Sequence, residues 1–151
     1  MNYHEISASL LIAAPAKKVY AVIADYQNGH PHILPKPAFE SLTVEKGGVG
    51  AGTEVSCTMK VAGRRQTFHA VITEPEPGRV LVETIPASGS VTTFTVEPRN
   101  EGAQAYVTIT TRVNVRGGLL GAIEKRLTTR ALQPLYEKEL LLLNSLASQQ
   151  P

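Results

Sequence analysis

The stretch GLLGAIEKRLTTRALQPLYEKELLLLNSLA, residues 118–147, is the one long helical pattern of the chain and decides the fold. At about 1.5 Å per residue such a helix is about 45 Å long, so it must cross a whole domain of this size. Pro134 removes the hydrogen bond to the carbonyl of Arg130 and predicts a bend there. The apolar residues that recur at helical spacing are Leu120, Ile123, Leu127, Ala131 and Leu135, followed by Leu132, Tyr136, Leu140, Leu143 and Leu146.

The chain before this helix alternates between strand-like stretches and turn signals. The turn signals are rich in glycine, proline and asparagine and lie at 47–52, 62–63, 75–78, 86–89 and 100–102. Connections this short join antiparallel neighbours, whereas parallel strands need crossovers of about a dozen residues or more. The predicted antiparallel sheet has seven strands, at 3–13, 39–46, 53–62, 64–74, 79–85, 91–98 and 103–115.

Two short helical segments are predicted between the first two strands. Pro15 lies where a helix can begin, because its missing N–H would have no partner there, and this helix extends to about Tyr26. The three prolines between His30 and Pro37 predict a short helical turn or an irregular loop. The predicted fold class is therefore α+β, with a seven-stranded antiparallel sheet curled around a long, kinked C-terminal helix.

Composition and charge restrict the class of protein. The 151 residues fit one domain spanning 1–151, and 15 Lys and Arg against 13 Asp and Glu leave a net charge of only +2, which disfavours nucleic-acid binding. The apolar stretch 10–14 is far shorter than the roughly 20 residues of a membrane span, and no basic segment precedes it as in a signal peptide. The single cysteine, Cys57, cannot form an internal disulfide. We expect a soluble, cytoplasmic protein without stable membrane insertion.

A sheet that curls around one helix cannot contact it closely along its whole length, so a cavity is expected between them. Alternation along the strands assigns an apolar face to this cavity and a polar face to solvent. The absence of Trp leaves modest side chains inside, with room for an apolar guest. The inward residues are Val55, Cys57, Met59 and Val61; Phe68, Ala70 and Ile72; Thr92, Phe94 and Val96; and Val107, Ile109, Thr111, Val113 and Val115.

Several stretches of sequence carry a resemblance to a known family. They are IAAPAKKVY at 12–20, VGAGTEV at 49–55, ITEPEPGR at 72–79 and TFTVEP at 93–98. Together with the order of the predicted elements, they make the chain similar to the helix-grip fold of the START-like superfamily, also called SRPBCC. Its members include lipid-transfer domains, carriers of hydrophobic ligands and polyketide cyclases/dehydratases. HPHILP at 30–35 is most similar to the polyketide-cyclase-like branch, and the resemblance implies a single START-like ligand-binding domain.

On the resembled fold, the loop with His30 and His32 lies near the cavity entrance. Two imidazoles could serve as acid and base near neutral pH, with Asp25 orienting one of them; alternatively, both are loop residues that hydrogen-bond the backbone. No further His, Cys or carboxylate recurs at ligand spacing, so no metal or other cofactor is expected. The residues expected to contact a ligand are Tyr26, His30, His32, Cys57, Met59, Phe68, Ile72, Thr92, Phe94, Ile109, Thr111, Leu127 and Ala131.

Other candidates have simpler explanations. Cys57 is expected to be an inert buried thiol, because its predicted neighbours are apolar. The glycine-rich loop 47–52 precedes a strand rather than a helix, so it does not fit a phosphate loop and is instead expected to be flexible, as a possible gate over the cavity mouth. Glu74 and Glu83 fit a desolvated position at a strand end or, more simply, a surface position at a turn.

Three classes of function fit the sequence. The first is binding of a small hydrophobic or amphipathic ligand, such as a lipid, a polyketide or an aromatic compound, with Tyr26, His30 and His32 holding its polar end at the mouth. The second is an enzyme of the polyketide cyclase/dehydratase type that uses a cavity histidine or carboxyl as acid or base. The third is a protein-interaction module, in which some of the leucines 140–143 contact a partner or a second copy as a homodimer.

Overall fold

The computed structural model of the chain describes residues 2–61 and 63–149. The elements are β1 Asn2–Ile12, α1 Ala16–Ala24, a 3-10 turn His30–Ile33, β2 Phe39–Lys46, β3 Glu54–Val61, β4 Arg64–Glu76, β5 Val80–Ile85, β6 Ser90–Arg99, β7 Gln104–Val115 and α2 Gly118–Ser148. Within the described residues, the strands form one seven-stranded antiparallel sheet in the order β1-β7-β6-β5-β4-β3-β2. The predicted helix-grip architecture is therefore confirmed.

The predicted strand boundaries are wrong at the end of β4. Pro75 was expected in a turn, but β4 continues through it to Glu76. The pairing of β4 with β5 changes register between Thr73 and Glu76, and proline fits such an irregularity because it has no N–H to donate to the ladder. The predicted turn residue Ala62 and the predicted inward side chain of Val61 lie outside what the structure describes.

The far half of the sheet, away from the start of α2, is packed solid against both helices. Ile12, Ile72 and Ile109 are fully buried there, together with Val19 and Ile23 of α1. Each such side chain contributes about 1.5–3 kcal/mol relative to an exposed position. On the α2 side, the residues that join this core are Tyr136, Leu140, Leu143 and Ala147.

The two halves of α2 differ in burial. The second half is tied to the N-terminal segment, where the Ala13 N–H donates to Asn144 Oδ1 at 3.0 Å. The first half carries Leu120, Ile123 and Leu127 with 59%, 48% and 60% exposure, so not all of the apolar residues at helical spacing are buried. The helix is unbroken through Pro134, and the bend stays a prediction. None of the helices in the described part of the chain is long and apolar enough to cross a membrane.

The glycine-rich loop 47–52 is held against α1 and β4. The Tyr26 N–H donates to the Gly48 carbonyl at 2.8 Å, and the Gly50 N–H donates to the Ala24 carbonyl at 2.9 Å. The Ala51 N–H donates to Glu74 Oε1 at 2.8 Å. These bonds fix the loop beside the packed half of the molecule and none of its residues, all described, lines the cavity, so the expectation of a gate over the cavity mouth is wrong.

Candidate functional site

A cavity of about 500 Å³ separates the first half of α2 from the sheet. Its walls are mostly apolar and come from β2 to β7, α2 and the loop after the 3-10 turn. Nine of the residues expected to contact a ligand line it. They are His30, Cys57, Met59, Phe68, Thr92, Phe94, Thr111, Leu127 and Ala131.

The other four expected ligand contacts do not line the cavity. Ile72 and Ile109 point toward the same side of the sheet, but they lie further along their strands, inside the packed half. Tyr26 is buried behind His30, where the two rings stack at 4.3 Å. His32 is exposed on the outside of the 3-10 turn. Alternation predicted the correct face for the strand residues, whereas it carries no information on depth.

The cavity opens between Gln66 of β4, Ser88 of the β5–β6 turn and Leu127 of α2, which we call the mouth. All three line the cavity and are also exposed, and Leu127 is exposed at 60%. His30 lies at the other end and is only 2% exposed. The expectation of a histidine pair at the mouth is therefore wrong, because the 3-10 turn packs His30 inward under α2.

Three titratable side chains, His30, Glu83 and Glu139, meet at the inner end of the cavity, and we call them the floor. His30 Nε2 lies 3.5 Å from Glu83 Oε2 and 3.9 Å from Glu139 Oε1. His30 Nδ1 donates to the Ile23 carbonyl at 2.8 Å, and since a carbonyl only accepts, this bond places a proton on Nδ1. The Nε2 atom is thus the one that faces the two carboxyl groups and the cavity.

Glu139 is 3% exposed and lines the cavity. Burial raises its pKa well above the ordinary value, and the nearby Glu83 carboxylate raises it further. The raised pKa favours the protonated form of Glu139, which can donate a proton. Among the described residues that line the cavity, none is Lys or Arg.

The floor is braced by aromatic rings and hydroxyl groups. The Tyr26 hydroxyl donates to Glu83 Oε2 at 2.5 Å, and burial, followed by Glu83, raises the pKa of Tyr26 well above its ordinary value. The ring of Phe94 meets His30 edge-on at 5.4 Å. On the opposite wall, Thr111 Oγ1 hydrogen-bonds Tyr136 OH at 2.5 Å. Burial raises the pKa of Tyr136 to about 12, so this phenol also stays protonated.

Sequence reasoning missed Glu139 and left Glu83 open between a desolvated strand position and a surface turn. Glu83 lines the cavity at 22% side-chain exposure, so the simpler expectation of a surface turn is wrong. Glu74 stays outside the cavity and accepts from the Tyr20 hydroxyl at 2.6 Å. A signal existed for both floor carboxyls: Glu83 alternates between Leu81 and Ile85, and Glu139 falls at helical spacing between the buried residues Tyr136 and Leu143.

Cys57 lines the cavity and is half-buried. Burial raises its pKa to about 12, with further contributions from Glu83 and Glu139. The thiol therefore stays protonated at neutral pH, and the inertness of Cys57 stays a prediction. Within the described residues, no group of three or more His, Cys, Asp and Glu side chains is arranged to hold a metal ion.

The chain has relatives in sequence and in structure. Residues 3–147 match the family described as "Polyketide cyclase / dehydrase and lipid transport". The solution structure of the KanY protein is 26% identical with a TM-score of 0.83, over 98% of this chain and 99% of that chain. The Zhui aromatase/cyclase from Streptomyces sp. R1128 is 18% identical with a TM-score of 0.76, over 98% and 95%. A START superfamily protein from Mycobacterium smegmatis is 14% identical with a TM-score of 0.74, over 97% and 98%. No curated protein sequence matches the chain.

Proposed function

The chain belongs to the polyketide cyclase/dehydrase and lipid transport family of the START-like superfamily, and we propose that it binds one small hydrophobic or amphipathic molecule in the cavity. The observation that carries this proposal is an apolar cavity of about 500 Å³ that opens to solvent beside Leu127. Ligand sites in proteins are typically concave, mostly apolar and about 300–1,000 Å³ in volume. Removing apolar ligand surface from water contributes about 25 cal/mol per Å², before the costs of association.

The test is binding of the fluorescent apolar probe N-phenyl-1-naphthylamine. The variants Ala131→Phe and Cys57→Phe place an aromatic ring in the cavity from α2 and from β3, and each should lower the affinity for the probe at least about tenfold. The matched control is Ala122→Phe, an exposed position on the same helix, which should bind as the wild type does. Unchanged probe affinity in both cavity variants, with wild-type circular dichroism, would rule the proposal out.

A second candidate function is acid–base catalysis, and the floor geometry favours it. Glu139, whose raised pKa favours the protonated form, has Oε1 3.9 Å from His30 Nε2 at the inner end of the cavity. For a β-hydroxy ketone, His30 or Glu83 would remove a proton from the carbon next to the carbonyl while Glu139 protonates the departing hydroxyl. The products are a conjugated enone and water, so no oxidant or metal is required. His32 lies outside the cavity, and the hypothesis therefore keeps His30 alone.

This candidate is tested with the aldol adduct of benzaldehyde and acetone, whose dehydration gives the strongly absorbing benzylideneacetone. Catalysis predicts that Glu139→Gln and His30→Gln lower the rate at least about a hundredfold, in line with the usual contribution of a general acid or base. Binding of N-phenyl-1-naphthylamine should remain within a few-fold of wild type. A wild-type protein that binds the adduct without converting it leaves ligand binding as the function.

A further inference from the structure

Acidic side chains predominate at the cavity floor. It presents two carboxyl groups, Glu83 and Glu139, beside the single imidazole of His30. The described lining contains no Lys or Arg that would balance a negatively charged guest. Sites that hold anions often use guanidinium or ammonium groups, and the described residues that line the cavity supply neither. This lining therefore disfavours a guest with a negatively charged group.

We propose that the floor receives the polar end of the guest and selects a hydroxyl or an amine over a carboxylate. This inference rests on the proposed function, ligand binding in the cavity, and adds the class and orientation of the ligand. The guest would enter with its polar group first, and its apolar part would lie against Met59, Phe68 and Leu127 near the mouth. That orientation is the reverse of the one expected from the sequence.

The spacing of the floor groups leaves room for a hydrogen-bonding atom from outside the protein. The separations of 3.5 Å from His30 Nε2 to Glu83 Oε2 and 3.9 Å to Glu139 Oε1 are too long for good direct hydrogen bonds. Glu139 is fully enclosed apart from the cavity, so a guest is the partner that its carboxyl can gain. A hydroxyl can accept from Glu139 and donate to Glu83 or His30, whereas an ammonium group, which has donors only, can donate to Glu83 and to His30 Nε2.

A carboxylate guest meets the opposite situation. A carboxylate has acceptors only, so it could accept a hydrogen bond from Glu139. It would, however, lie beside the carboxylate of Glu83, which has the same charge. The Tyr26 hydroxyl is already engaged with Glu83 at 2.5 Å, and His30 Nδ1 is engaged with the Ile23 carbonyl at 2.8 Å. Neither donor is free to compensate, and repulsion between buried charges is screened less than repulsion between exposed ones.

The length of the cavity suits a chain-like guest. Leu127 at the mouth and Glu139 at the floor are twelve residues apart on α2, or about 18 Å along the helix axis. A straight ten-carbon chain with one polar end is shorter than this span even when fully extended, so it fits between them. This choice gives a matched series of probes: decanol, decylamine and decanoic acid.

The test is displacement of N-phenyl-1-naphthylamine by these compounds at neutral pH. Decylamine and decanoate are both charged and well hydrated, so their comparison isolates the floor from general hydrophobicity. Decylamine and decanol should each displace half of the probe from the wild-type protein. The concentrations required should be at least about tenfold lower than the concentration of decanoate that has the same effect. The variant Glu83→Gln keeps the shape of the side chain and removes its charge. In this variant, the ratio of the half-displacing concentration of decanoate to that of decylamine should fall at least about tenfold.

Controls separate this inference from the proposal on which it rests. Glu137→Gln changes an exposed carboxyl on the same helix and should leave the preference as in the wild type. Probe binding with equal displacement by all three compounds, or with the same preference in Glu83→Gln, overturns the inference and leaves ligand binding standing. A wild-type protein that does not bind the probe overturns both. Glu83→Gln is first checked for a wild-type circular dichroism spectrum. If Glu83→Gln is unstable, Glu139→Gln serves as the second floor variant.

Discussion

Glu139 is the residue at which the interior departs most from an ordinary apolar core. A buried carboxyl costs folding free energy when it is ionised, and the raised pKa of Glu139 favours the neutral form that reduces this cost. Proteins keep such groups mainly where chemistry or recognition needs them, since a leucine of similar volume would pack there without the cost. Its position on the cavity floor, beside His30, fits that explanation.

Glu139 should make the protein less stable as pH rises. Its folded-state pKa lies well above the ordinary 4.5, so between these two values the folded chain holds a proton that the unfolded chain has released. The stabilising effect is complete below the unfolded pKa and is lost as pH rises toward the folded pKa. The free energy of unfolding should fall by up to about 1.4 kcal/mol per pH unit in this window.

Urea unfolding of wild type and Glu139→Gln between about pH 5 and pH 8 measures this effect, because glutamine does not titrate. The stability of the variant relative to wild type should increase with pH across this range. Glu137→Gln should keep the wild-type slope, since its carboxyl is exposed. Parallel curves for wild type and Glu139→Gln would show that Glu139 is ionised in the folded protein.

At the scale of elements, α2 performs two tasks along its length. Its second half closes the core through Leu140 and Leu143, each 1% exposed, while Leu141 and Leu142 of the same run face outward. Its first half forms one wall of the cavity and contacts β1 where His4 Nε2 hydrogen-bonds Thr129 Oγ1 at 2.7 Å. The run of four leucines is thus divided by the helical period, and contact of the outer pair with a second copy stays a prediction.

The same substitution in the two halves of α2 should have very different effects on stability. Leu140→Ala removes a fully buried side chain and should cost about 2–5 kcal/mol of unfolding free energy. Leu120→Ala removes a side chain that is 59% exposed and should change that free energy by no more than about 0.5 kcal/mol. Urea unfolding of both variants gives the comparison. Equal losses would mean that the first half is packed against the sheet and that the cavity is closed.

At the scale of the whole molecule, the sheet encloses two regions: the packed hydrophobic core beside the second half of α2, which we call the solid half, and the cavity beside the first half of α2, which we call the hollow half. The solid half supplies the stability, and the hollow half leaves apolar walls in contact with solvent through the mouth. A guest that binds only the folded state must therefore stabilise the whole domain. This coupling gives a measure of occupancy that needs no spectroscopic signal from the ligand.

N-phenyl-1-naphthylamine at a concentration of about one hundred times its Kd should raise the free energy of unfolding by about 2.7 kcal/mol. The expected effect follows from mass action and applies to wild type and to the exposed control Ala122→Phe. In Ala131→Phe, where the ring takes the place of the guest, the same probe concentration should give little stabilisation. An equal gain in Ala131→Phe would place the bound probe somewhere other than the cavity.

The sequence alone determined the class of the long elements and which face of the sheet lines the cavity. Period-two alternation put Cys57, Phe68 and Thr92 on the cavity side, and the turn residues predicted the antiparallel order, because both are local properties of the chain. The same reasoning put Ile72 and Ile109 at the site as well, since alternation repeats identically along a strand.

Tertiary structure decided where along each strand the cavity begins and ends. That boundary depends on how far α2 stands from the sheet, which is set by contacts between residues more than a hundred positions apart, such as Ala13 with Asn144. Only those contacts bring Glu83 of a strand, His30 of a turn and Glu139 of a helix together in one buried place. Burial then sets the protonation of Glu139, and a residue's burial is a property of the packed molecule rather than of its neighbours in sequence.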